Sequence, residues 1–169
     1  DVLTGFKYIG DQIAGLEKDG EADRYILGFE ESYGYLSGSY VRDKDAVNGS
    51  YLIAQMFAYY KSLNKSLLEV LEELYKKYGY TLNTLYSFEF EGESGMNKMN
   101  GIMDLFRNNT PKEIAGVKVL EVRDYKTSLQ TILATGEGIE IKLPKSNVIK
   151  YILDGNSYVV LRPSGTEPK

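Results

Sequence analysis

The sequence predicts an α/β region followed by an α+β region. Residues 1–81 read as a partial α/β layer domain, and residues 82–169 as a small antiparallel-sheet domain with a packed helix. Three observations carry that reading. Helical periodicity fills most of residues 1–78, broken by a single strand pattern. From Tyr80 onward, short strand patterns outnumber helices. The change falls near 80–83 with no long linker, repeat or low-complexity tract.

In the first region, Thr4 is placed to cap a helix whose Phe6, Ile9, Ile13 and Leu16 form one apolar stripe. Gly5, Gly10 and Gly15 weaken it, each by about 1 kcal/mol relative to Ala if interior, and Asp19-Gly20 ends it. Arg24 to Phe29 reads as a short buried strand running into Gly28-Phe29-Glu30-Glu31-Ser32-Tyr33-Gly34. Two carboxylates, a serine and two glycines at a strand end suit a loop that accepts sugar hydroxyls, and equally a polar turn. Glu30 and Glu31 alternate in direction, so one of them faces a ligand. Arg42-Asp43-Lys44-Asp45 reads as a charged approach to a helix, with Asp45 as N-cap. In that helix, Ala46 to Leu63, Leu52, Met56, Tyr59 and Leu63 form one stripe. Val47, Tyr51, Ala54 and Ala58 form another, which predicts burial round much of its circumference. Ser66-x-x-Glu69 is a capping box for a further helix with Leu67, Leu71, Leu74 and Tyr78 inward and Gly79 at its end.

In the second region, Tyr86, Phe88 and Phe90 alternate with polar residues as an amphipathic strand. Ser94 is placed to cap a helix with Met99, Ile102, Met103 and Phe106 on one face, stopped by Asn108-Asn109-Thr110-Pro111. Strand patterns follow at Val117 to Arg123, Ser128 to Leu133, Ile139 to Leu143 and Val148 to Leu153. Asp154-Gly155-Asn156 turns the last into Ser157 to Arg162.

Composition narrows the chemistry. The chain has 169 residues, is 43% hydrophobic and 26% charged, and carries a net charge of −4. Its cations are dispersed, which argues against nucleic acid, and no apolar run reaches membrane-spanning length. It has no His and no Cys. Ser-His-Asp catalysis, a thiolate nucleophile and His or Cys metal ligation are therefore excluded within it, and cysteine absence fits a cytoplasmic setting. No dense carboxylate cluster suited to Mg²⁺ is visible.

The last stretch, Arg162-Pro163-Ser164-Gly165-Thr166-Glu167-Pro168-Lys169, follows the apolar run Tyr158 to Leu161, which reads as a buried strand. Pro163 ends that strand. Gly165 allows backbone N–H groups to converge on an anion, Ser164 and Thr166 add hydroxyls, and Arg162 offers a planar fork for phosphate. An ordinary Pro-Gly turn with a rim arginine fits the same residues.

R-P-S-G-T-E-P-K resembles the phosphate-binding loop in the last domain of the α-D-phosphohexomutases, the phosphoglucomutase and phosphomannomutase family. G-F-E-E-S-Y-G resembles the sugar-recognition loop of that family's third domain, where a glutamate and the serine two places on bind hexose hydroxyls. The resemblance gives those roles to Glu30 and Ser32. Thr4-Gly5-Phe6-Lys7 resembles a segment that supplies a cation to the phosphosugar, and so points to Lys7. By itself Lys7 reads as a solvated helix residue. Arg42 to Asp45 resembles the family's R-x-K-D stretch, but is read here as structural.

The resemblance implies an intramolecular phosphotransferase that interconverts hexose 1-phosphate and hexose 6-phosphate. It implies an active-site phosphoserine, glucose 1,6-bisphosphate as intermediate and Mg²⁺, in four domains around one cleft. The serine motif and the Asp-rich magnesium motif are not in this sequence. The chain then corresponds to most of the third domain and part of the fourth, with Arg162, Ser164, Gly165 and Thr166 on the phosphate. Its catalytic and metal residues lie elsewhere, and the fragment alone would be inactive. The loop looks more like the phosphoglucomutase branch; Tyr33 or Gly34 stands where the phosphomannomutase branch has histidine, which leaves glucose, mannose and pentose open. The alternative is a non-catalytic sugar-phosphate-binding module. Oligomeric state is not legible.

Overall fold

The computed structural model describes residues 2–163, and the chain divides into two compact units, Asp1–Thr84 and Leu85–Lys169. Helices around a small sheet make the first unit α/β; one helix with an antiparallel sheet makes the second α+β.

The first unit is a hairpin between helices. α1 (Phe6–Lys18) buries Phe6, Gly10 and Ile13. Its N-cap position is Gly5, at φ 126, and no side chain caps it, so Thr4 does not hold the role predicted for it. Asp19 closes the helix and Gly20 follows at φ 73, as the sequence indicates. The predicted strand from Arg24 is shorter, because Ala22–Arg24 form a 3-10 turn. β1 (Leu27–Phe29) pairs antiparallel with β2 (Tyr35–Ser37), with Gly28 opposite Leu36. Leu36 faces α1 and packs with Phe6 and Ile13, while Tyr25 donates to its carbonyl at 3.0 Å. A Cβ at Gly28 would lie 2.4 Å from the Tyr25 hydroxyl oxygen, so only glycine fits there. β1 is not buried: Leu27 and Phe29 are exposed, since nothing described covers the hairpin's other side beneath them.

α2 (Ala46–Ser62) and α3 (Leu67–Tyr78) follow. Asp45 accepts from the backbone N–H groups of Val47 and Asn48, and Ser66 with Glu69 forms the capping box. These local predictions match. The burial predictions do not. In α2 only Gly49 is buried, and in α3 the buried residue is Val70 rather than Leu71, Leu74 or Tyr78. Periodicity names the apolar faces but does not supply the surface that covers them.

The second unit places α4 (Gly92–Asn108) on a sheet of order β6-β5-β4-β7-β8, all antiparallel. The strands are β4 (Val117–Asp124), β5 (Leu129–Ile132), β6 (Gly138–Glu140), β7 (Ile149–Leu153) and β8 (Tyr158–Leu161), with β3 (Glu113–Ile114) pairing onto β4. β3 is too short to read from sequence. α4 begins at Gly92, so Ser94 lies inside it rather than capping it. No strand forms over Tyr86 to Phe90, where Tyr86 and Phe88 are exposed. Alternation fits a strand only if a neighbouring strand takes its backbone groups, and no described strand does. Gly155 and Asn156 take φ 75 and 64, which closes the β7–β8 hairpin. β8 is an edge strand with Tyr158 and Val160 exposed, not the buried strand expected, and it ends at Leu161 just before Arg162-Pro163.

Met103 of α4 packs on Val119, Ile149, Tyr151 and Leu153. Tyr151 is fully buried and donates its hydroxyl to the Phe106 carbonyl at 2.9 Å, joining β7 to α4. We expect Tyr151→Phe to cost about 1–2 kcal/mol, since it strips a buried carbonyl of a donor without opening a cavity. Urea unfolding checks this: the midpoint should fall while the slope stays constant.

Candidate functional site

The turn between β1 and β2 is built from the residues that the sequence singles out. Glu30 N–H donates to the Gly34 carbonyl at 3.0 Å, and Tyr33 N–H to the Glu30 carbonyl at 3.2 Å. Tyr33 takes φ 64, which turns the chain back. Glu31 and Ser32 are exposed at the tip, whereas the Glu30 side chain is folded in and only 9% exposed. The two carboxylates thus stand in different surroundings, Glu30 folded in and Glu31 in solvent.

Glu30 Oε1 accepts from the Ser32 hydroxyl at 3.1 Å and from the Lys44 ammonium at 2.5 Å. No described residue donates to Glu30 Oε2. Hydrogen bonding to Glu30 is the first cause holding the Lys44 ammonium above its ordinary pKa; the Glu30, Asp43 and Glu31 charges add to it. A Cβ at Gly34 would lie 2.7 Å from both Glu30 Oε1 and the Lys44 side chain, so the pair closes over a position that only glycine leaves open. Glu30, Ser32, Gly34 and Lys44 therefore form one cluster in which Oε1 of a folded-in carboxylate is held from two sides.

Lys44 is the residue that sequence reading set aside as structural. It stands fourteen positions from Glu30, so neither helical nor strand periodicity links them. Two features place it there. Asp45 N–H donates to the Tyr35 carbonyl at 2.9 Å, and Asn48 Oδ1 accepts from Ser37 N–H at 2.9 Å. The start of α2 is thereby stitched to β2, and Lys44 reaches the turn at the strand's beginning. Arg42, its neighbour, pairs instead with Glu17 and donates to the Ser39 carbonyl.

Lys7 stands apart from this cluster, and the other predicted residues belong to the second unit. Lys7 is exposed in the first turn of α1 with its ammonium over the Tyr8 ring, 4.9 Å from the centroid, and makes no ion pair among the described residues. Arg162 is exposed directly beyond β8 in the second unit. Ser164, Gly165 and Thr166 lie outside the described residues. The second unit also holds a cavity of about 170 Å³ lined by Arg107, Asp124, Thr127 and Ile149 among others. It includes none of the predicted residues. Its Arg107 is already engaged by Asp124 at 3.0 Å and by Asn147 at 2.8 Å, so it reads as a structural ion pair.

Residues 1–78 match the family model described as phosphoglucomutase/phosphomannomutase, alpha/beta/alpha domain III. Over 169 residues the chain is 44% identical to a phosphoglucomutase of Staphylococcus aureus (strain bovine RF122 / ET3-1) and 42% identical to one of Staphylococcus epidermidis (strain ATCC 12228 / FDA PCI 1200). All of this chain is covered in each case, but only 30% of either relative, so the chain spans about a third of their length. No solved structure matches.

The stitch at Asp45 has a measurable pH signature. Backbone donation from Asn48, then the Tyr40 hydroxyl, hold the Asp45 carboxyl below its ordinary range. Its contribution is present above the unfolded pKa, about 3.9, and is lost as pH falls through the lower folded value. We expect Asp45→Asn, which still caps but carries no charge, to flatten the acid limb of helix loss below about pH 4. Far-UV circular dichroism against pH checks this; superimposable acid limbs would contradict it.

Proposed function

Because the chain belongs to the phosphoglucomutase/phosphomannomutase family, we propose that it is the sugar- and phosphate-binding part of a longer phosphohexomutase. The parent protein would interconvert hexose 1-phosphate and hexose 6-phosphate, with glucose favoured, in the cytoplasm. A phosphoserine outside these residues would carry the phosphoryl group, through a 1,6-bisphosphate of the sugar. Among the described residues no helix is long and apolar enough to cross a membrane.

The observation that carries this reading is the Glu30 carboxylate, anchored through Oε1 by Lys44 and Ser32 with Oε2 free to accept. A carboxylate fixed on one oxygen is a preorganised acceptor for a sugar hydroxyl, since little side-chain freedom is lost when the ligand arrives. Ser32, at the tip, can give or accept a second hydroxyl bond. In the second unit, Arg162 would grip the phosphate that is not reacting, helped by Ser164, Gly165 and Thr166, and Lys7 would add positive charge toward the phosphosugar. These groups bind and orient. The magnesium that the family resemblance implies would be held by residues elsewhere in the parent protein.

Steady-state kinetics of the parent protein test the assignment. One charge-assisted contact contributes about 1.5–3 kcal/mol, so Glu30→Gln and Arg162→Ala should each lower kcat/KM by roughly 10- to 150-fold. Gln keeps the shape of Glu30, so its effect reports the charge. Unchanged kcat/KM in Glu30→Gln would remove the hairpin turn from the binding site, and in Arg162→Ala would remove the terminal loop. A parent gene lacking both a serine and an Asp-rich motif upstream would instead favour a non-catalytic binding module.

A further inference from the structure

The sheet of the second unit has a covered face and an open face. Ile149, Tyr151 and Leu153 of β7, with Val159 and Leu161 of β8, pack toward Met103 of α4. Alternation puts Lys150 and Ile152 of β7, and Tyr158 and Val160 of β8, on the other face. Tyr158 and Val160 are 56% and 47% exposed, so that face meets solvent.

The register fixes the neighbours of Lys150 there. Lys150 pairs with Val160 across the two strands, and Ile152 pairs with Tyr158. Tyr158 is therefore diagonal to Lys150 on one side. The diagonal place on the other side falls to Arg162, the second residue after Val160. β8 ends at Leu161, but Arg162 precedes Pro163, which disfavours helical backbone before it and so carries the alternation on by one residue. Diagonal neighbours stand about 7–8 Å apart, within reach of long side chains. The Lys150 ammonium lies over the Tyr158 ring, 4.4 Å from its centroid. Glu121, opposite Ile152 on the same face, accepts from Arg123 at 3.2 Å and from Gln130 at 3.0 Å, so its charge is already offset.

We propose that Lys150 is a second cation for the phosphate that Arg162 grips, an inference that rests on the reading of Arg162 as a phosphate ligand. Charge gives the reason. A sugar phosphate carries close to two negative charges at neutral pH, its second pKa being about 6. Arg162 brings one positive charge. Lys150 brings the other from the neighbouring strand, as a point charge on a flexible stem. Rotation of that stem carries the ammonium from one diagonal position, over Tyr158, to the other, beside Arg162. A cation–π contact at an exposed site is weaker than a charge-assisted hydrogen bond, so the exchange favours the phosphate. Tyr158 keeps the ammonium on the open face, one diagonal step from Arg162.

Calorimetric titration of the parent protein with glucose 6-phosphate tests the proposal. We expect Lys150→Gln to raise the dissociation constant at least about fivefold. Lys150→Arg keeps the charge and should bind more tightly than Lys150→Gln. Tyr158→Leu removes the ring but not the cation, and should bind no more weakly than the unmodified protein. Thermal unfolding of each variant separates lost binding from lost fold. A smaller rise in Lys150→Gln overturns the proposal, and so does Lys150→Arg binding as weakly as Lys150→Gln. Equal weakening in Tyr158→Leu and Lys150→Gln also overturns it, because the contact between the two side chains would then be structural. Arg162→Ala tells failure of this proposal from failure of the functional reading. Weak binding in Arg162→Ala with normal binding in Lys150→Gln removes Lys150 alone. Normal binding in Arg162→Ala, or none by the unmodified parent, removes the terminal loop and Lys150 with it.

Discussion

The first unit depends on the contact between Lys44 and Glu30. Glu30 ends the first arm of the hairpin, and Lys44 immediately precedes the Asp45 cap that starts α2. One ion pair therefore ties turn to helix. Exposed pairs of this kind contribute little to stability. Here the carboxylate is folded in while the ammonium remains half in solvent, at 9% and 50% exposure. The effect is then one of position. A desolvated carboxylate needs a partner, and the partner decides which of its oxygens stays open.

The pair also resolves an electrostatic conflict. The chain is acidic, at −4, so its overall field repels a phosphorylated ligand. A bare glutamate placed to accept a sugar hydroxyl would add to that repulsion, since the phosphate travels with the sugar. With Lys44 on Oε1, the charge of the proposed acceptor is offset by its own partner. Because the pair holds Lys44 protonated well above neutral pH, this compensation persists across the physiological range.

The parts of this fold that were legible in the sequence are those fixed by neighbours along the chain. The Asp45 cap, the Ser66 and Glu69 capping box and the turn at Gly155 and Asn156 each depend on residues within four positions. The strands β4 and β7 were legible because their partners lie in the same unit. The readings that failed needed a distant surface. Met56 and Leu71 are apolar at the right spacing and still exposed, and Tyr86 to Phe90 alternates without a strand to pair with. Residue type and turn position marked this loop but left Glu30 and Glu31 open; Glu30 and Ser32 were named through the family resemblance of the loop. Lys44 could not be picked out, because its role comes from the stitch between β2 and α2 rather than from any pattern around it.

That stitch has a consequence for the precision of the turn. β2 is held along its outer edge by α2, whereas no described strand pairs with the outer edge of β1. Glu30 follows β1 directly, so any fluctuation in β1 passes to the carboxylate proposed to accept a sugar hydroxyl. Preorganisation requires the arm before Glu30 to be as rigid as the arm after Gly34. A pair of three-residue strands does not provide that by itself.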